Sequence, residues 1–152
     1  MSRKVRIPLE ICPLADEGYH LFIHAAIRNQ PLRLLVDTGA SRTVLGRSVI
    51  QEKFPDLTIL ESEGLATGAG SSDLPAGLVQ IPTFTLGDLE LSDFSVAVLD
   101  MHHVNSAYEQ TGLPGIDGVL GCDLLFAYRA VISLKRSELR LTRPRKRKSV
   151  TG

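Results

Sequence analysis

The sequence predicts a single all-β domain, either a barrel or a sandwich. Many short segments alternate apolar and polar residues or stay apolar over strand lengths, and turn residues separate them. Helical signals are few and short. At 152 residues with 43% apolar side chains, the chain has the size and composition of one globular domain with a real core. Together these observations favour a closed or sandwiched β architecture.

Strand-like segments follow one another along most of the chain. KVRIPLEI and YHLFIHAAI come first, and PLRLLVD follows a predicted turn at residues 28–30. GLVQIPTFTLGDLELSDFSVAVLD predicts two strands around a turn at residues 87–88, because β-branched and aromatic residues lie on both sides of it. RAVISLKRSELRL predicts a hairpin that turns at residues 135–137. The helical signals are GRSVIQEKF, part of MHHVNSAYEQTG, and CDLLFAY.

Composition and charge argue against several functional classes. The 17 basic and 17 acidic residues balance, so the whole surface carries no net field for nucleic acid or membrane. The apolar runs are far shorter than the roughly 18 residues of a membrane span. The N-terminus lacks the apolar region and cleavage site of a secretory signal, so we expect a cytoplasmic protein without a membrane partner. Cys12 and Cys122 are far apart in the sequence and are expected to be reduced and structural.

The C-terminus RPRKRKSVTG carries five cations between Arg143 and Lys148. It follows the last predicted strand and contains little that could pack on a core. We therefore expect residues 1–142 to form the domain and residues 143–152 to be a solvated, mobile tail. A solubilising role is favoured over contact with nucleic acid or an acidic partner, so residues 143–148 are the only hint of a nucleic-acid partner.

The histidines do not predict a metal centre. His20 and His24 share one face of a predicted strand, but their spacing is too wide for a compact metal site without further ligands. His102 and His103 are predicted to be a solvated pair in a loop. We expect no bound metal.

One carboxylate stands directly after a buried strand, in the stretch LLVDTGASRTVL. Burying an unpaired carboxylate beside a core costs several kcal/mol unless hydrogen bonds or a second charge compensate it. Thr38 and the amides of the following turn could supply hydrogen bonds to Asp37, and Gly39 permits a tight backbone path. The triplet Asp-Thr-Gly alone is also a good sequence for an ordinary turn.

The wider pattern resembles a known family. LLVDTGASRTVL resembles the catalytic strand of the retropepsin-like aspartic proteases (clan AA), in which an apolar strand runs into Asp-Thr-Gly-Ala or Asp-Thr-Gly-Ser. DGVLGCDLL resembles their second signature, two apolar residues and a glycine that open a short helix. AVISLKRSELRL is similar to the closing hairpin of the bacterial, single-lobed members. The resemblance covers residues 19–141.

The resemblance implies a fold and a set of site residues. The fold would be a closed, barrel-like β domain with one or two short helices, equivalent to a single lobe of an acid protease. Asp37, Thr38 and Gly39 would be catalytic. Ala40 and a strand packed beneath Asp37 would support them, and the residues of that strand are Val119, Leu120 and Gly121.

Between its two signatures the family carries a glycine-rich hairpin, the flap, which closes over the substrate. The candidate here is GLATGAGSSDLPAGLV, residues 64–79, because its glycines and small polar residues can hinge between strand-like flanks. The residues expected to contact substrate are Thr67, Gly68, Ala69 and Gly70. An ordinary mobile loop is the alternative interpretation.

The family chemistry needs two carboxylates, one to take a proton from water and a protonated one to polarise the scissile carbonyl. This chain has a single Asp-Thr-Gly triplet. Asp117 is interpreted as a strand-entry residue and Asp123 as a structural residue near a helix N-terminus. The resemblance therefore implies a homodimer in which the two copies of Asp37 meet on a two-fold axis, with Thr38 bonding across it.

The expected function is that of an aspartic endopeptidase that acts on polypeptides and needs no cofactor. The first alternative is a non-catalytic dimerisation or peptide-binding module that keeps the fold. The second is a nucleic-acid-associated protein in which the basic tail is primary.

Overall fold

The structure is a computed structural model that describes residues 3–15, 18–61 and 76–145. Within those ranges the chain forms eleven strands and three short helices. The strands are β1 Lys4–Pro8, β2 Glu10–Pro13, β3 Tyr19–Ile27, β4 Gln30–Val36, β5 Val44–Gly46, β6 Leu60–Glu61, β7 Gly77–Leu86, β8 Leu89–Leu99, β9 Gly118–Leu120, β10 Val131–Ser133 and β11 Glu138–Thr142. The helices are α1 Arg47–Lys53, α2 His102–Gln110 and α3 Cys122–Ala127.

Six strands form a closed barrel, which confirms the predicted fold class. Their order is β3-β4-β9-β5-β8-β7, and the pairing of Ala26 with Thr85 returns β7 to β3. The pairs β4–β9 and β5–β8 are parallel, and the other neighbours in the barrel are antiparallel. Strands β2 and β6 extend the sheet beyond the ring. All three helical signals of the sequence form helices.

A second, three-stranded sheet brings the two ends of the domain together. Its order is β1-β11-β10, and all its pairs are antiparallel. Residues Val5 and Ile7 of β1 and Leu139 and Leu141 of β11 are buried in the same core as the barrel residues. Since alternate residues of a strand face opposite sides, Lys4 and Arg6 of β1 face solvent. The small sheet therefore packs on the barrel with one apolar face.

The predicted hairpins occur where the sequence placed them. Arg28 and Asn29 turn β3 into β4 with φ values of 50° and 65°, the left-handed geometry that a two-residue hairpin turn needs. Gly87, with φ of 58°, begins the turn between β7 and β8. The chain of KVRIPLEI forms two strands rather than one. The segment breaks at Leu9. The Leu9 amide donates to the carbonyl of Ser137 (2.9 Å), and this bond ties Leu9 to the β10–β11 turn.

The prediction that His102 and His103 form a loop pair is wrong, because they open helix α2. The Asp100 carboxylate accepts a hydrogen bond from the His102 amide (2.9 Å) and satisfies one of the free donors of the first turn. An acidic group two residues ahead of a short helix was the signal for this start.

Candidate active site

Asp37 follows directly on β4, which lies between β3 and β9 in the barrel. Leu34 and Val36 of β4 are buried, Asp37 is half-buried, and Thr38 is exposed. The Asp37 amide donates to the carbonyl of Leu120 (3.0 Å), so the residue is still tied to β9 where the strand ends. The carboxylate is thus mounted on a rigid strand end with one side open to solvent.

The turn after β4 holds the carboxylate through one backbone donor. Oδ1 of Asp37 accepts a hydrogen bond from the Gly39 amide (2.8 Å), and the Ala40 amide donates to the Asp37 carbonyl (3.2 Å). A Cβ atom at position 39 would lie 3.1 Å from Oδ1, which favours glycine there. Within the described ranges, no side chain donates to the Asp37 carboxylate. Thr38 is placed beside it but faces solvent.

The loop after Asp37 folds around the start of α3. The Cys122 amide donates to the carbonyl of Ala40 (2.8 Å), and the Asp123 amide donates to that of Ser41 (3.1 Å). The thiol of Cys122 contacts the Thr38 carbonyl (3.1 Å). Three hydrogen bonds therefore fix the Asp-Thr-Gly loop to the start of α3, which belongs to the second signature DGVLGCDLL.

The apolar-apolar-glycine strand lies alongside β4, which ends next to Asp37. Val119 and Leu120 pair in parallel with the last residues of β4. Gly121 then passes so close to the loop that a Cβ atom would lie 2.5 Å from the backbone carbon and oxygen of Arg42. Only glycine fits this crossing without displacing backbone.

The two other acidic residues near this crossing are engaged in the scaffold. Asp117 accepts a hydrogen bond from the Arg33 amide through Oδ2 (2.8 Å), and its own amide donates to the Arg33 carbonyl (2.8 Å). Asp123 accepts through Oδ1 from the amide and hydroxyl of Thr43 (2.9 and 2.8 Å). Both carboxylates are oriented by these bonds, which agrees with the structural roles inferred from the sequence.

A largely apolar groove of about 570 Å³ lies next to the Asp37 strand end. Leu35 lines it, and because Leu35 and Asp37 are two residues apart they face the same side of the chain. The other lining residues come from the β2–β3 connection, from the start of β3, and from α2 with the residue that follows it: Leu14, Ala15, His20, Val104, Ala107, Tyr108 and Thr111. No sequence pattern indicates this groove, because its walls come from three separate segments.

His20 and Tyr108 form the polar wall of the groove. Nδ1 of His20 lies 2.8 Å from the Tyr108 hydroxyl, and the two rings meet edge to face. Burial raises the pKa of Tyr108, and the negative charges of Cys12 and Asp37 also raise it, against the lowering effect of Arg33. The His20 ring is therefore held by Tyr108, through the Nδ1–hydroxyl contact and the edge-to-face packing.

The four predicted flap residues Thr67–Gly70 lie outside the described residues. The described chain leaves at Glu61 of β6 and returns on β7, and these two strands are antiparallel neighbours with Glu61 opposite Gly77. Glu61 also forms an ion pair with Arg47 of α1 (2.5 Å). The described strands that flank positions 62–75 in the sequence are thus paired with each other, and the first of them is also joined to α1.

The profile of the aspartyl protease family matches residues 23–124, which contain both signatures. The chain belongs to this family. No curated protein sequence matches the chain significantly. Among the described residues of this aspartyl protease, no helix has the length and apolar character to cross a membrane.

Solved structures share the fold of this aspartyl protease. The retropepsin-like aspartic protease from Rickettsia conorii is 20% identical with a TM-score of 0.54, and the match covers 92% of this chain and 91% of that one. The retroviral protease-like domain of Ddi1 from Leishmania major is 17% identical with a TM-score of 0.54, over 80% of this chain and 87% of that one. EIAV protease, complexed with the inhibitor HBY-793, is 20% identical with a TM-score of 0.51, over 74% and 91%. The fold is retropepsin-like.

Proposed function

We propose that this chain is an aspartic endopeptidase whose catalytic centre is built from Asp37 of two identical subunits. The observation that carries the proposal is the difference in hydrogen bonding among the three acidic residues near the point where Gly121 passes the Asp-Thr-Gly loop. Asp37 is half-buried at a strand end with one backbone donor, whereas Asp117 and Asp123 are engaged by the backbone of β4 and by Thr43. A second catalytic carboxylate is therefore best supplied by a second chain.

A paired site explains how one kind of aspartate can act as both acid and base. Two carboxylates about 3 Å apart at an effective dielectric constant near 20 repel by roughly 5–6 kcal/mol, so the pair keeps one proton over a wide pH range. The charged carboxylate takes a proton from water, and the protonated one donates to the scissile carbonyl. Water then adds to the carbonyl carbon. Collapse of the adduct breaks the C–N bond as the amine is protonated.

The scaffold favours this use of Asp37 through pre-organisation. The Gly39 amide fixes Oδ1, and the bonds of Ala40 and Ser41 to the start of α3 hold the loop on the barrel. A carboxylate that is already oriented loses little freedom when substrate binds. Thr38, exposed at the tip, is available to bond across the proposed two-fold axis.

The groove beside Asp37 supports a polypeptide substrate with an apolar side chain next to the scissile bond. Its walls include Leu14, Leu35 and Val104, which offer an apolar surface, and Leu35 lies two residues before Asp37 in the chain. Burying a leucine or phenylalanine side chain in such a groove is worth about 1.5–3 kcal/mol. Residues 64–79 are the proposed flap of this site, with Thr67–Gly70 as the residues that contact substrate.

Cleavage of a peptide library tests the proposal. Wild-type protein and the Asp37→Asn variant are incubated with random peptides between pH 3 and pH 8, and the products are identified by mass spectrometry. We expect wild-type cuts that favour large apolar residues beside the cut, and none above background with Asp37→Asn. If correctly folded, dimeric wild type gave no cuts at any pH while still retaining peptides, the chain would instead be a non-catalytic peptide-binding module.

A further inference from the structure

The apolar groove that Leu35 lines contains three side chains with polar atoms, namely His20, Tyr108 and Thr111. The Thr111 hydroxyl is used within the chain, because it donates to the carbonyl of Tyr108 (2.8 Å). The Tyr108 hydroxyl lies 2.8 Å from Nδ1 of His20. Nε2 of His20 has no hydrogen-bond partner among residues 3–15, 18–61 and 76–145. This ring nitrogen is therefore the side-chain group of the groove that is left for a ligand.

The contact between Tyr108 and His20 determines which nitrogen of the neutral ring carries the proton. Burial raises the pKa of Tyr108, so its hydroxyl keeps its proton and acts as a donor. We assign Nδ1 of His20 as the acceptor of that proton. A neutral ring that accepts at Nδ1 carries its own proton on Nε2. In the charged ring both nitrogens carry protons, so Nε2–H is a donor in either state.

The His20 ring is fixed in place by its aromatic neighbours. Its centroid lies 5.8 Å from that of Tyr108 and 6.3 Å from that of Phe22, and both contacts are edge to face. Phe22 is fully buried, and the Arg33 guanidinium carbon lies 3.7 Å from the centroid of its ring. Arg33 in turn donates to Glu10 of β2 (2.7 Å). A donor that is already oriented loses little freedom when it bonds a ligand.

We propose that His20 determines the specificity of this groove by donating a hydrogen bond from Nε2–H to an oxygen at the tip of a substrate side chain, and that the preferred side chain is tyrosine. This inference rests on the proposed function, in which the groove takes the side chain next to the scissile bond. Tyrosine combines a large apolar ring with an oxygen at its far end. The ring matches the apolar walls formed by Leu14, Leu35 and Val104.

Phenylalanine would fill the same space without the oxygen. Its ring would exclude water from Nε2–H and leave that donor without an acceptor, which costs free energy. Glutamine and glutamate carry an oxygen but bury less apolar area against the walls. Because the groove is open on one side and His20 is only half-buried, we expect a modest preference for tyrosine over phenylalanine, about fivefold.

Cleavage of two matched peptides tests the proposal. The peptides share a sequence that the wild type cuts and differ only in tyrosine or phenylalanine next to the scissile bond. We expect kcat/KM to be about fivefold higher for the tyrosine peptide. His20→Asn keeps an amide within reach of the Tyr108 hydroxyl but has no atom at the position of Nε2. It should lower the ratio to about one and change cleavage of the phenylalanine peptide by less than about twofold.

Two further variants separate specificity from structure. His20→Gln places an amide N–H near the position of Nε2, so it should keep at least about half of the preference. His24→Asn is the matched control, because His24 is an exposed histidine of the same strand that does not line the groove. It should leave the ratio unchanged.

A binding measurement by NMR needs no cleavage. N-acetyltyrosinamide and N-acetylphenylalaninamide are titrated into the full chain while the imidazole nitrogen shifts of His20 are recorded. We expect the tyrosine amide to bind about fivefold more tightly and to shift Nε2. At a pH where the ring carries one proton, the same spectra should place that proton on Nε2.

The outcomes distinguish this inference from the proposed function. Preferential binding of the tyrosine amide without cleavage of any peptide overturns the proposed function and supports the role of His20. Cleavage with a ratio below about two, a ratio that survives His20→Asn, an equal loss in His24→Asn, or a ring proton on Nδ1 overturns the role of His20 alone. If neither amide binds and no peptide is cut, both proposals are overturned. If His20→Asn fails to fold, the wild-type ratio and the position of the ring proton decide.

Discussion

Asp123 and Thr43 are joined by two hydrogen bonds to a single carboxylate oxygen, one from the Thr43 amide (2.9 Å) and one from its hydroxyl (2.8 Å). The same oxygen accepts from the Leu124 amide (2.8 Å), and the Thr43 hydroxyl accepts from the Gly121 amide (3.1 Å). Thr43 is fully buried. This short network joins the end of the Asp-Thr-Gly loop to the start of α3, so it holds together the two signatures of the family.

Asp123→Ala should therefore lower the free energy of unfolding by about 3 kcal/mol, because it removes charge-assisted bonds and leaves the buried Thr43 hydroxyl with one acceptor fewer. Urea denaturation followed by circular dichroism measures the change. Asp123→Asn keeps an oxygen in the same place and should recover about half of the loss. A double-mutant cycle with Thr43→Val should show coupling above 1 kcal/mol. Additive effects would mean that the network does not act as a unit.

The second prediction concerns the close crossing at Gly121. A methyl group there would lie 2.5 Å from the backbone of Arg42, so Gly121→Ala must move one of the two segments. We expect a loss of at least about 2 kcal/mol in the free energy of unfolding. Gly112→Ala is the matched control, since its Cβ atom would meet nothing within 4 Å and only its positive φ of 75° opposes the change, by about 1 kcal/mol. Equal losses in the two variants would argue against a steric crossing.

Most of the fold could be predicted because its signals are local. The strand YHLFIHAAI and the turns at 28–29 and 87–88 occur as the alternation and turn residues indicated. The barrel order could not be read this way, because β4 pairs with β9 across more than eighty residues and periodicity carries no information on partners. The His102 start was missed because the Asp100 carboxylate that accepts from the His102 amide lies one residue before the N-cap position, which Met101 occupies.

In the candidate site, too, the residues in local motifs could be predicted and the contacts between distant segments could not. Asp37, Gly39 and Gly121 could be found from short motifs, and the structure places them around one crossing. The Thr43–Asp123 network and the groove with His20 and Tyr108 could not, because each joins segments distant in sequence. The hydrogen-bond partners of a single carboxylate depend on tertiary packing, which the sequence pattern does not record.

The third prediction is a pH dependence of stability at Glu10. The Arg33 guanidinium bonded to it (2.7 Å) and then the Cys12 thiol lower the pKa of this carboxyl below its usual 4.5. A carboxyl whose pKa falls on folding stabilises the fold above its unfolded pKa, and this contribution is lost as the pH falls through the folded value. Because the Glu10 side chain is 42% exposed, screening limits the effect to about 0.5 kcal/mol.

Urea titrations of wild type and Glu10→Gln between pH 7 and pH 3 measure this contribution. The wild type should be the more stable at pH 7, and the difference should begin to shrink near pH 4.5 and disappear below the folded pKa of Glu10. Arg28 and Asp56 form a fully exposed pair, so Asp56→Asn is a control for surface charge in general. A difference that stayed constant down to pH 3 would show that Glu10 acts through packing and not through its charge.

The fourth prediction concerns the proposed dimer. Phe126 is 86% exposed on α3 and lies four residues after Cys122, so the two share the helix face that meets the Asp-Thr-Gly loop. If two loops meet on an axis, this ring is available to pack against the partner. Phe126→Ser should raise the dimer dissociation constant about tenfold or more and leave the melting temperature of the monomer unchanged. Sedimentation velocity measures the dissociation constant. Leu134→Ser is the control, because Leu134 is also an exposed apolar residue (61%) but lies in the β10–β11 turn.

The last prediction tests whether one site is shared by two chains, and it rests on Asp37 being the single Asp-Thr-Gly aspartate. Asp37→Asn keeps the size of the side chain and the oxygen that accepts from Gly39, so folding and dimerisation should survive while the general base is lost. Mixed with a threefold excess of this variant under subunit exchange, wild-type chains should retain about a quarter of their activity, because random pairing leaves most of them beside an amide.

Energy transfer between labelled chains monitors subunit exchange. This measurement distinguishes a failure of the chains to mix from chains that each hold a complete site. A threefold excess of Gly112→Ala, which lies away from the loop and keeps Asp37, should leave activity per wild-type chain undiminished. If exchange were complete and activity still followed the amount of wild-type chain linearly, each chain would have to hold its own complete site. Asp37 would then need an intrachain carboxylate, and the bonds that engage Asp117 and Asp123 would have to open during catalysis.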